Sequence, residues 1–378
     1  MKKAFLATAA AAALLSFAQP AAADPASNYQ IDAAHDGQVR FTKDFHAPLK
    51  QRWIKDLGGT TTYPVYGDGL VFVSAAADTG TEVYALKAKN GDVAWHVTVQ
   101  GGGAPAYDNG RVFVLGSGGF LQAFDAKTGA SLWGKQETGE FFFDDPVTAS
   151  NGKVYFDGTE SGVVIYAVNE TDGSLAWTQG GPAGDTNLAV GGGNIYASFP
   201  CDDSAFKAKK GKFQWAFTQG CDGGGESVPV YFEGRVYIDD NVDRVVLDAK
   251  TGAELHPFLD DTYAPAFWEP TSGSSMGFVV TVNGTLTAFD AASGTTAWSI
   301  SPSGLSCPPI VLNDTVFVGD TSGNLTALDP MTGNQIWTTN LGAMIGDGSE
   351  FTSGMGAGGN MLLVPSGTTI SAWVPKKQ

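Results

Sequence analysis

The sequence contains few cysteines, few histidines and, beyond its first residues, no long apolar run. Three of its 378 residues are cysteine and four are histidine. His35, His46, His96 and His256 are scattered and do not have a metal-ligand spacing such as H-E-x-x-H. No later apolar run approaches the roughly 20 residues that a spanning helix needs. These absences argue against a histidine-based metal centre and against a membrane-embedded protein.

Basic residues are also scarce. The chain carries 22 Lys and Arg against 39 Asp and Glu, which gives a formal net charge of −17. Nucleic acid and anionic membrane surfaces are disfavoured as partners, because both would repel such a protein. The same acidity is typical of a protein that has to stay soluble outside the cell.

The first residues have the pattern of a secretory signal. The stretch "MKKAFLATAAAAALLSFAQPAAAD" has a basic start, an apolar run and an Ala-x-Ala sequence that ends at Ala23. We therefore predict a signal peptide over residues 1–23 that is removed on export. No cysteine lies near the cut, so we expect no lipid anchor. The mature protein is predicted to be periplasmic or secreted, without membrane insertion.

An eleven-residue unit recurs along the chain. "AFDAKTGASLW" begins at Ala123, and similar copies begin at Ala85, Ala167, Ala288 and Ala327. The seven anchors that end these units and their degenerate copies are 38 to 44 residues apart: Trp95, Trp133, Trp177, Trp215, His256, Trp298 and Trp337. This interval is typical of a four-stranded propeller blade. Each unit predicts a third strand, a tight turn with glycine and a fourth strand, whose tryptophan packs on a neighbouring blade.

Eight short runs of alternating apolar residues, such as "GRVFVLG" from Gly110, predict the second strands. The eighth repeat stops after its third strand, whereas "QRWIKDLGG", with an anchor at Trp53, has no strands before it. Joining the two completes one blade. We predict an all-β fold in one domain over residues 50–378: an eight-bladed β-propeller of four-stranded antiparallel blades, closed by the N-terminal strand. Residues 24–49 lack strand periodicity and are expected to form an extension that wraps the surface.

The spacing A-x-D-x-x-T-G-x-x-x-W is complete in "AFDAKTGASLW" and "ALDPMTGNQIW". It resembles the tryptophan-docking motif of the PQQ-like propellers, of which the BamB-like members are nearest in size. That family includes quinone-dependent dehydrogenases and non-enzymatic scaffolds of outer-membrane assembly. The resemblance therefore implies the fold and leaves both kinds of function open.

For a dehydrogenase, the resemblance implies a quinone in the central channel over a disulfide between adjacent cysteines, with Ca²⁺ or a lanthanide on nearby acids. Cys201, Cys221 and Cys307 are not adjacent. Pyrroloquinoline quinone and Ca²⁺ are the cofactors of this alternative, but no residue is assigned as a catalytic or cofactor-binding group. The G-x-S-x-G match from Gly273 precedes a strand, so a hairpin turn is favoured over a nucleophile elbow.

Cys201 and Cys221 are predicted to lie in loops at the same end of the propeller. In an oxidising compartment they are expected to form a disulfide that closes a loop of about 20 residues and contributes about 3 kcal/mol. The alternative is a pair of thiols more than about 7 Å apart. Cys307 is expected to be a buried thiol behind two prolines, with a redox, metal or intermolecular role as the alternative.

The blade-to-blade crossovers carry an unusual number of aromatic and acidic residues. They form a candidate binding face made of Phe141, Phe142, Phe143, Asp144, Asp145, Asp222, Glu226, Trp268, Glu269, Asp347 and Glu350. Such a face suits a basic protein segment or a cationic ligand. Its carboxylates could instead hold Ca²⁺. Alternatively, the aromatic residues fill the core and the acids are solvated.

Three functions remain open at this stage. The favoured one is a non-enzymatic, monomeric envelope scaffold that binds another envelope protein. The second is a periplasmic quinoprotein dehydrogenase, or a sensor or carrier of a quinone-like ligand. The third is a calcium-dependent extracellular binding protein.

Overall fold

The structure is a computed structural model, and the part of the chain that it describes consists mainly of short strands. The described residues are 26–78, 80–138, 142–143, 145–158, 164–180, 186–199, 202–218, 228–239, 244–259, 263–281, 283–302, 304–346 and 352–376. The predicted signal peptide lies outside them. Within these ranges no helix is long and apolar enough to cross a bilayer.

The strands form eight sheets of four antiparallel strands, with two short additions. In chain order they are β1 (Gln38–Val39) and β2 (Leu49–Asp56); blade 1 with β3 (Thr60–Thr61), β4 (Val65–Gly67), β5 (Leu70–Ala77), β6 (Gly80–Lys87) and β7 (Val93–Val99); blade 2 with β8 (Ala106–Asp108), β9 (Arg111–Leu115), β10 (Phe120–Asp125) and β11 (Ser131–Gln136); blade 3 with β12 (Thr148–Ser150), β13 (Lys153–Gly158), β14 (Val164–Asn169) and β15 (Leu175–Gly180); blade 4 with β16 (Ala189–Gly191), β17 (Asn194–Phe199), β18 (Asp202–Lys207) and β19 (Phe213–Thr218); blade 5 with β20 (Val230–Phe232), β21 (Arg235–Asp239), β22 (Arg244–Asp248) and β23 (Glu254–Pro257); blade 6 with β24 (Ala266–Trp268), β25 (Met276–Val280), β26 (Leu286–Asp290) and β27 (Thr296–Ile300); blade 7 with β28 (Ile310–Leu312), β29 (Thr315–Gly319), β30 (Asn324–Leu328) and β31 (Gln335–Asn340); and blade 8 with β32 (Gly356–Gly358), β33 (Met361–Ser366) and β34 (Thr369–Pro375). The predicted eight-bladed propeller is confirmed.

The closing strand comes from the N-terminal side of the chain. β2 pairs antiparallel with β34, with Trp53 opposite Ala372 and Leu49 opposite Pro375. Blade 8 therefore contains both ends of the propeller domain. This closure joins the termini and leaves no gap in the ring.

The repeated unit explains how one blade is fastened to the next. In blade 2, the Asp125 carboxylate accepts hydrogen bonds from the backbone N–H and the hydroxyl of Thr128, and so holds the turn. Gly129 has a φ of +71° and lies against the ring of Trp95 from blade 1. The Trp95 Nε1 donates to the Ala126 carbonyl oxygen at 2.9 Å. Trp53, Trp133, Trp177, Trp215 and Trp298 donate to a carbonyl of the following blade in the same way, at 2.9 to 3.1 Å.

The propeller has two ends, which we term the turn face and the crossover face. The turn face carries the turns between first and second strands and between third and fourth strands. The crossover face carries the loops between second and third strands and the connections between blades. The first strand of each blade is innermost and runs from the crossover face to the turn face, so residues at its two ends lie at opposite ends of the channel.

The expectation that the N-terminal extension wraps the surface is wrong for residues 26–39, although Arg40, Lys43 and Asp44 are exposed. Tyr29, Ile31 and His35 are all at most 2% exposed. β1 pairs in parallel with β28, the innermost strand of blade 7. The physical reason is that the innermost strands have one free edge each, and the extension supplies the missing hydrogen-bond partners.

Candidate functional site

Each innermost strand directs one backbone N–H toward the central channel. In blade 1, Gly67 and Leu70 flank a two-residue turn, and Tyr66 lies opposite Val71. Hydrogen-bonded and non-bonded pairs alternate in an antiparallel ladder, so the N–H of Tyr66 points away from the second strand. A buried N–H without a partner costs about 1 to 3 kcal/mol. The repeated hairpin therefore creates a ring of donors that must be satisfied.

Residues 26–39, which we term the collar, satisfy these donors. In seven of the eight blades the middle residue of the innermost strand donates its N–H to the collar at 2.5 to 2.9 Å. In blade order the donors and acceptors are Tyr66 to Ala26 O, Tyr107 to Ser27 O, Ala149 to Asn28 Oδ1, Val190 to Ala33 O, Tyr231 to Ala34 O, Phe267 to Asp36 O and Val311 to Gly37 O. The collar thus runs once around the channel and bonds the blades in sequence.

The side chains of Tyr29 and His35 lie inside the channel. The ring of Tyr29 lies edge-on to His35 at 5.6 Å and to Tyr63 at 5.3 Å. His35 Nδ1 is 3.3 Å from the carbonyl oxygen of Pro229, and its Nε2 is 3.4 Å from Thr148 Oγ1. Burial lowers the pKa of His35 to about 4, although the Pro229 hydrogen bond opposes this. His35 is therefore neutral at pH 7, and its proton is on Nδ1 because a carbonyl oxygen only accepts.

On the crossover side of the collar, several buried polar atoms have no hydrogen-bond partner among the described residues. They include the hydroxyl of Tyr63 and the side-chain amide of Asn187. Both residues stand two positions before an innermost strand, and both are at most 1% exposed. Burial, and then the charge of Asp145, raise the pKa of Tyr63, which keeps the phenol protonated. These groups could bind a small polar ligand through hydrogen bonds.

Buried carboxyl groups lie in the same part of blades 3 and 4. Asp145, Asp157 and Asp203 are 5%, 2% and 0% exposed. Asp157 Oδ2 accepts the backbone N–H of Thr186 at 3.2 Å. Over the described ranges, no group of three or more His, Cys, Asp or Glu side chains is arranged to hold a metal ion.

The structure places the described residues of the predicted binding face in different environments. Phe142 is 47% exposed, whereas Phe143 is 3% exposed and packs against Phe156 and Tyr166, with ring centroids 6.2 and 6.0 Å away. Asp145 is buried, as described above. The remaining crossover residues of that face, Phe141, Asp144, Asp222, Glu226, Asp347 and Glu350, lie outside the described residues, as do Cys201 and Cys221 of the predicted disulfide. Cys307 is buried, as expected.

Trp268 and Glu269 lie at the opposite end of the channel from Phe142. Trp268 ends β24, and its Nε1 donates to Asp314 Oδ1 at 2.9 Å. The backbone carbonyl of the exposed Glu269 accepts a hydrogen bond from Arg40. The sequence "YAPAFWEP" is therefore not one crossover loop. It contains an innermost strand that carries the chain from the crossover face to the turn face.

A pair of acids at the junction of blades 2 and 3 was not foreseen. Glu170 is 1% exposed, and its Oε2 accepts from Asn109 Nδ2 at 3.1 Å. Burial, and then the neighbouring Asp108, raise the pKa of Glu170 to about 7. Other blades have alanine or proline at this position, as at Ala126 and Pro330. The departure of "AVNETDG" from the repeat was the available signal.

Comparison with known families identifies the repeat. A family model described as outer membrane protein assembly factor BamB matches residues 32–189, 101–216 and 204–356, in overlapping segments that span most of the chain. The chain belongs to this family. BamB from Moraxella catarrhalis superimposes with a TM-score of 0.69 at 18% identity, over 88% of this chain and 99% of that one. The quinohemoprotein alcohol dehydrogenase from Comamonas testosteroni gives 0.69 at 15% identity, over 94% and 81%. At these identities, both matches show the shared fold alone.

One curated relative of this BamB-family chain carries the name of an enzyme. The tetrathionate hydrolase of Acidithiobacillus ferrooxidans is 25% identical over 46% of this chain. The match covers 48% of that relative, so the chain spans about half the length of the protein it matches.

Proposed function

We propose that this protein is an exported, non-enzymatic scaffold that binds another protein of the bacterial envelope. The observation that carries the proposal is the collar. It places seven carbonyl or amide oxygens, together with the rings of Tyr29 and His35, inside the channel. The chain's own residues thus occupy space that a channel ligand would need, and the loops at the two ends of the ring are left for recognition.

Three further observations support this proposal. The BamB family description names a factor in outer-membrane assembly. The predicted signal peptide would direct the protein to the periplasm or the outside of the cell. The net charge of −17 would steer a partner that presents a basic segment, and Phe142 offers an exposed apolar contact on the crossover face. The mature protein is proposed to act as a monomer.

Site-specific photo-cross-linking in the native host tests the proposal. A photoreactive phenylalanine analogue replaces Phe142 on the crossover face or, as a control, Met331, which is 60% exposed in a turn on the turn face. We expect one adduct of defined mass at position 142, with the same envelope protein identified in repeated experiments, and none at position 331. Equal adducts at both positions, or none at either, would contradict a specific partner at the crossover face.

A second candidate function is an enzyme or ligand carrier that uses the crossover end of the channel. The unpartnered Tyr63 hydroxyl and Asn187 amide beside buried Asp145 favour it, as does the match to a tetrathionate hydrolase. The test is a titration of the mature protein with tetrathionate or with pyrroloquinoline quinone plus Ca²⁺, followed by tryptophan fluorescence and thermal shift. Binding at a hundredfold excess over Kd would stabilise the protein by about 2.7 kcal/mol. A response that Tyr63→Phe abolishes would favour this function over the scaffold.

A further inference from the structure

In four of the eight blades the middle residue of the innermost strand is a large aromatic that packs on the preceding blade: Tyr66, Tyr107, Tyr231 and Phe267. The ring of Tyr107 from blade 2 lies over Gly67 of blade 1, and the ring of Tyr231 from blade 5 lies over Gly191 of blade 4. A Cβ atom on either glycine would overlap the ring. At the junction of blades 5 and 6, Phe267 stacks on a neighbouring phenylalanine at 4.1 Å. At these junctions the aromatic middle residue of the innermost strand fills the space beside the preceding blade.

The junction of blades 3 and 4 lacks such an aromatic side chain. Small residues also stand at this position in blades 3, 7 and 8, as Ala149, Val311 and Ala357. Val190 of blade 4 occupies the position of Tyr107 in blade 2 and of Tyr231 in blade 5. Ser150 ends the innermost strand of blade 3, a position that is glycine in blades 1 and 4 (Gly67 and Gly191). A groove of about 430 Å³ remains at this junction. Its lining includes Ser150, Asn151, Lys153, Tyr155, Val190 and Lys209. We term it the blade 3/4 groove.

The outer part of the blade 3/4 groove is positively charged in an otherwise acidic protein. Lys153 is partly buried and held by Asn169, with Nζ 3.1 Å from Oδ1. Lys209 belongs to the turn "KAKKGK", residues 207–212, which has four lysines. At about 0.1 M salt the Debye length is about 10 Å, so neighbouring charges within this turn act together on a ligand in the groove. Toward the collar, an adjoining groove is lined by Asp32 and Asp108.

Apolar side chains flank the same surface. Leu175 begins the outermost strand of blade 3 and is 58% exposed, and Phe213 begins the outermost strand of blade 4 and is 51% exposed. Both strands start at the turn face, on the outer side of the groove. Basic and exposed apolar groups therefore occur together, which is the composition that recognises an acidic segment containing apolar anchor residues.

We propose that the blade 3/4 groove binds an acidic segment of a partner protein. The carboxylates of this segment would form ion pairs with Lys153 and Lys209, and one of its apolar residues would pack against Phe213 or Leu175. A nucleic acid or an anionic membrane presents a much larger field of charge and would be repelled by the net charge of −17. The groove is on the turn face, so this inference goes beyond the proposed function and does not depend on its contact at Phe142.

Fluorescence anisotropy with the full mature protein tests the groove. The probe is a fluorescein-labelled ten-residue peptide of alternating glutamate and leucine, and the control probe replaces each glutamate by lysine. We expect saturable binding of the acidic peptide that weakens as salt is raised, and no saturable binding of the basic one. The double variant Lys153→Gln with Lys209→Gln should weaken binding about two- to thirtyfold, since each of the two exposed ion pairs contributes roughly 0.2 to 1 kcal/mol.

Two further variants separate shape from charge. Ser150→Gly with Val190→Tyr installs the residue pair found at the junctions of blades 1 and 2 and of blades 4 and 5, and should abolish binding by filling the groove. Lys87→Gln with Lys89→Gln removes the same charge from the corresponding turn of blade 1 and should leave binding unchanged. If the basic peptide binds as tightly as the acidic one, or if the two lysine variants weaken binding equally, the proposal is wrong. The lysine variants decide the matter even if the filled variant does not fold.

Discussion

The junction of blades 5 and 6 and the junction of blades 3 and 4 are built from the same repeat but have opposite character. In the first, Phe267 is fully buried and stacks on Phe232. In the second, Val190 is only partly buried beside a polar groove, and buried carboxyl groups lie in the adjoining blades. One position, the middle residue of the innermost strand, largely accounts for the difference at the turn face. A repeat can therefore keep its hydrogen bonds while its junctions are specialised for packing or for binding.

Truncating the middle residue of the innermost strand at each junction should give the largest difference in stability between the two junctions. Phe267→Ala should lower the free energy of unfolding by about 3 to 5 kcal/mol, because a large aromatic side chain is removed from a closely packed site. Val190→Ala should cost roughly 1 kcal/mol or less, because the side chain already borders a groove. Urea unfolding followed by tryptophan fluorescence measures both. Equal losses would show that the two junctions are packed alike.

His35 connects the two blades on either side of it, because it contacts Pro229 of blade 5 and Thr148 of blade 3. Its pKa is about 4 in the folded protein and about 6.5 in the unfolded chain. The unfolded state therefore takes up a proton first, and stability is lost as the pH falls from about 6.5 to 4. His35→Asn, which tolerates the positive φ of 62°, should remove about 3 kcal/mol of this pH dependence. Denaturant midpoints of both proteins at several pH values provide the measurement. A parallel pH profile in the variant would contradict the burial argument.

Glu170, at the junction of blades 2 and 3, should have the opposite effect on the pH dependence of stability. Its pKa is raised from 4.5 to about 7, so the folded state holds the proton more tightly than the unfolded chain. Its contribution to stability is present below about pH 4.5 and is lost as the pH rises through 7. Glu170→Gln should flatten this part of the profile by about 3 kcal/mol. Glu254→Gln, at an exposed position in blade 5, provides a control for the change of charge. If the two variants have the same profile, Glu170 does not share a proton with Asp108.

The propeller could be predicted because its repeat is carried by side chains. Glycine turns, alternating apolar strands and docking tryptophans such as Trp95 each leave a pattern at a fixed interval. The closing strand β2 could be predicted by counting strands, because no strands precede the anchor Trp53 and the eighth repeat lacks a fourth strand. These features depend on residue identity, and a single sequence shows them.

The collar could not be predicted, because its bonds use backbone oxygens almost throughout. Every residue has a backbone carbonyl that can accept a hydrogen bond, so Ala33 and Ala34 show no pattern. Trp268 and Glu269 were placed on the wrong face for a related reason. A three-residue innermost strand is too short to show alternation, so "YAPAFWEP" gave no sign of where a loop ended and a strand began. The predicted Cys201–Cys221 disulfide stays a prediction.

The collar also constrains the number of blades in the ring. A ring of similar repeats does not by itself specify how many copies it should contain, because each blade contacts only its neighbours. The collar contacts seven blades at once, and its acceptors from Ala26 to Gly37 follow the order of the blades along the chain. A ring with one repeat more or fewer would leave donors and acceptors out of step. A short segment at the start of the domain thus helps to fix the number of blades in the whole ring.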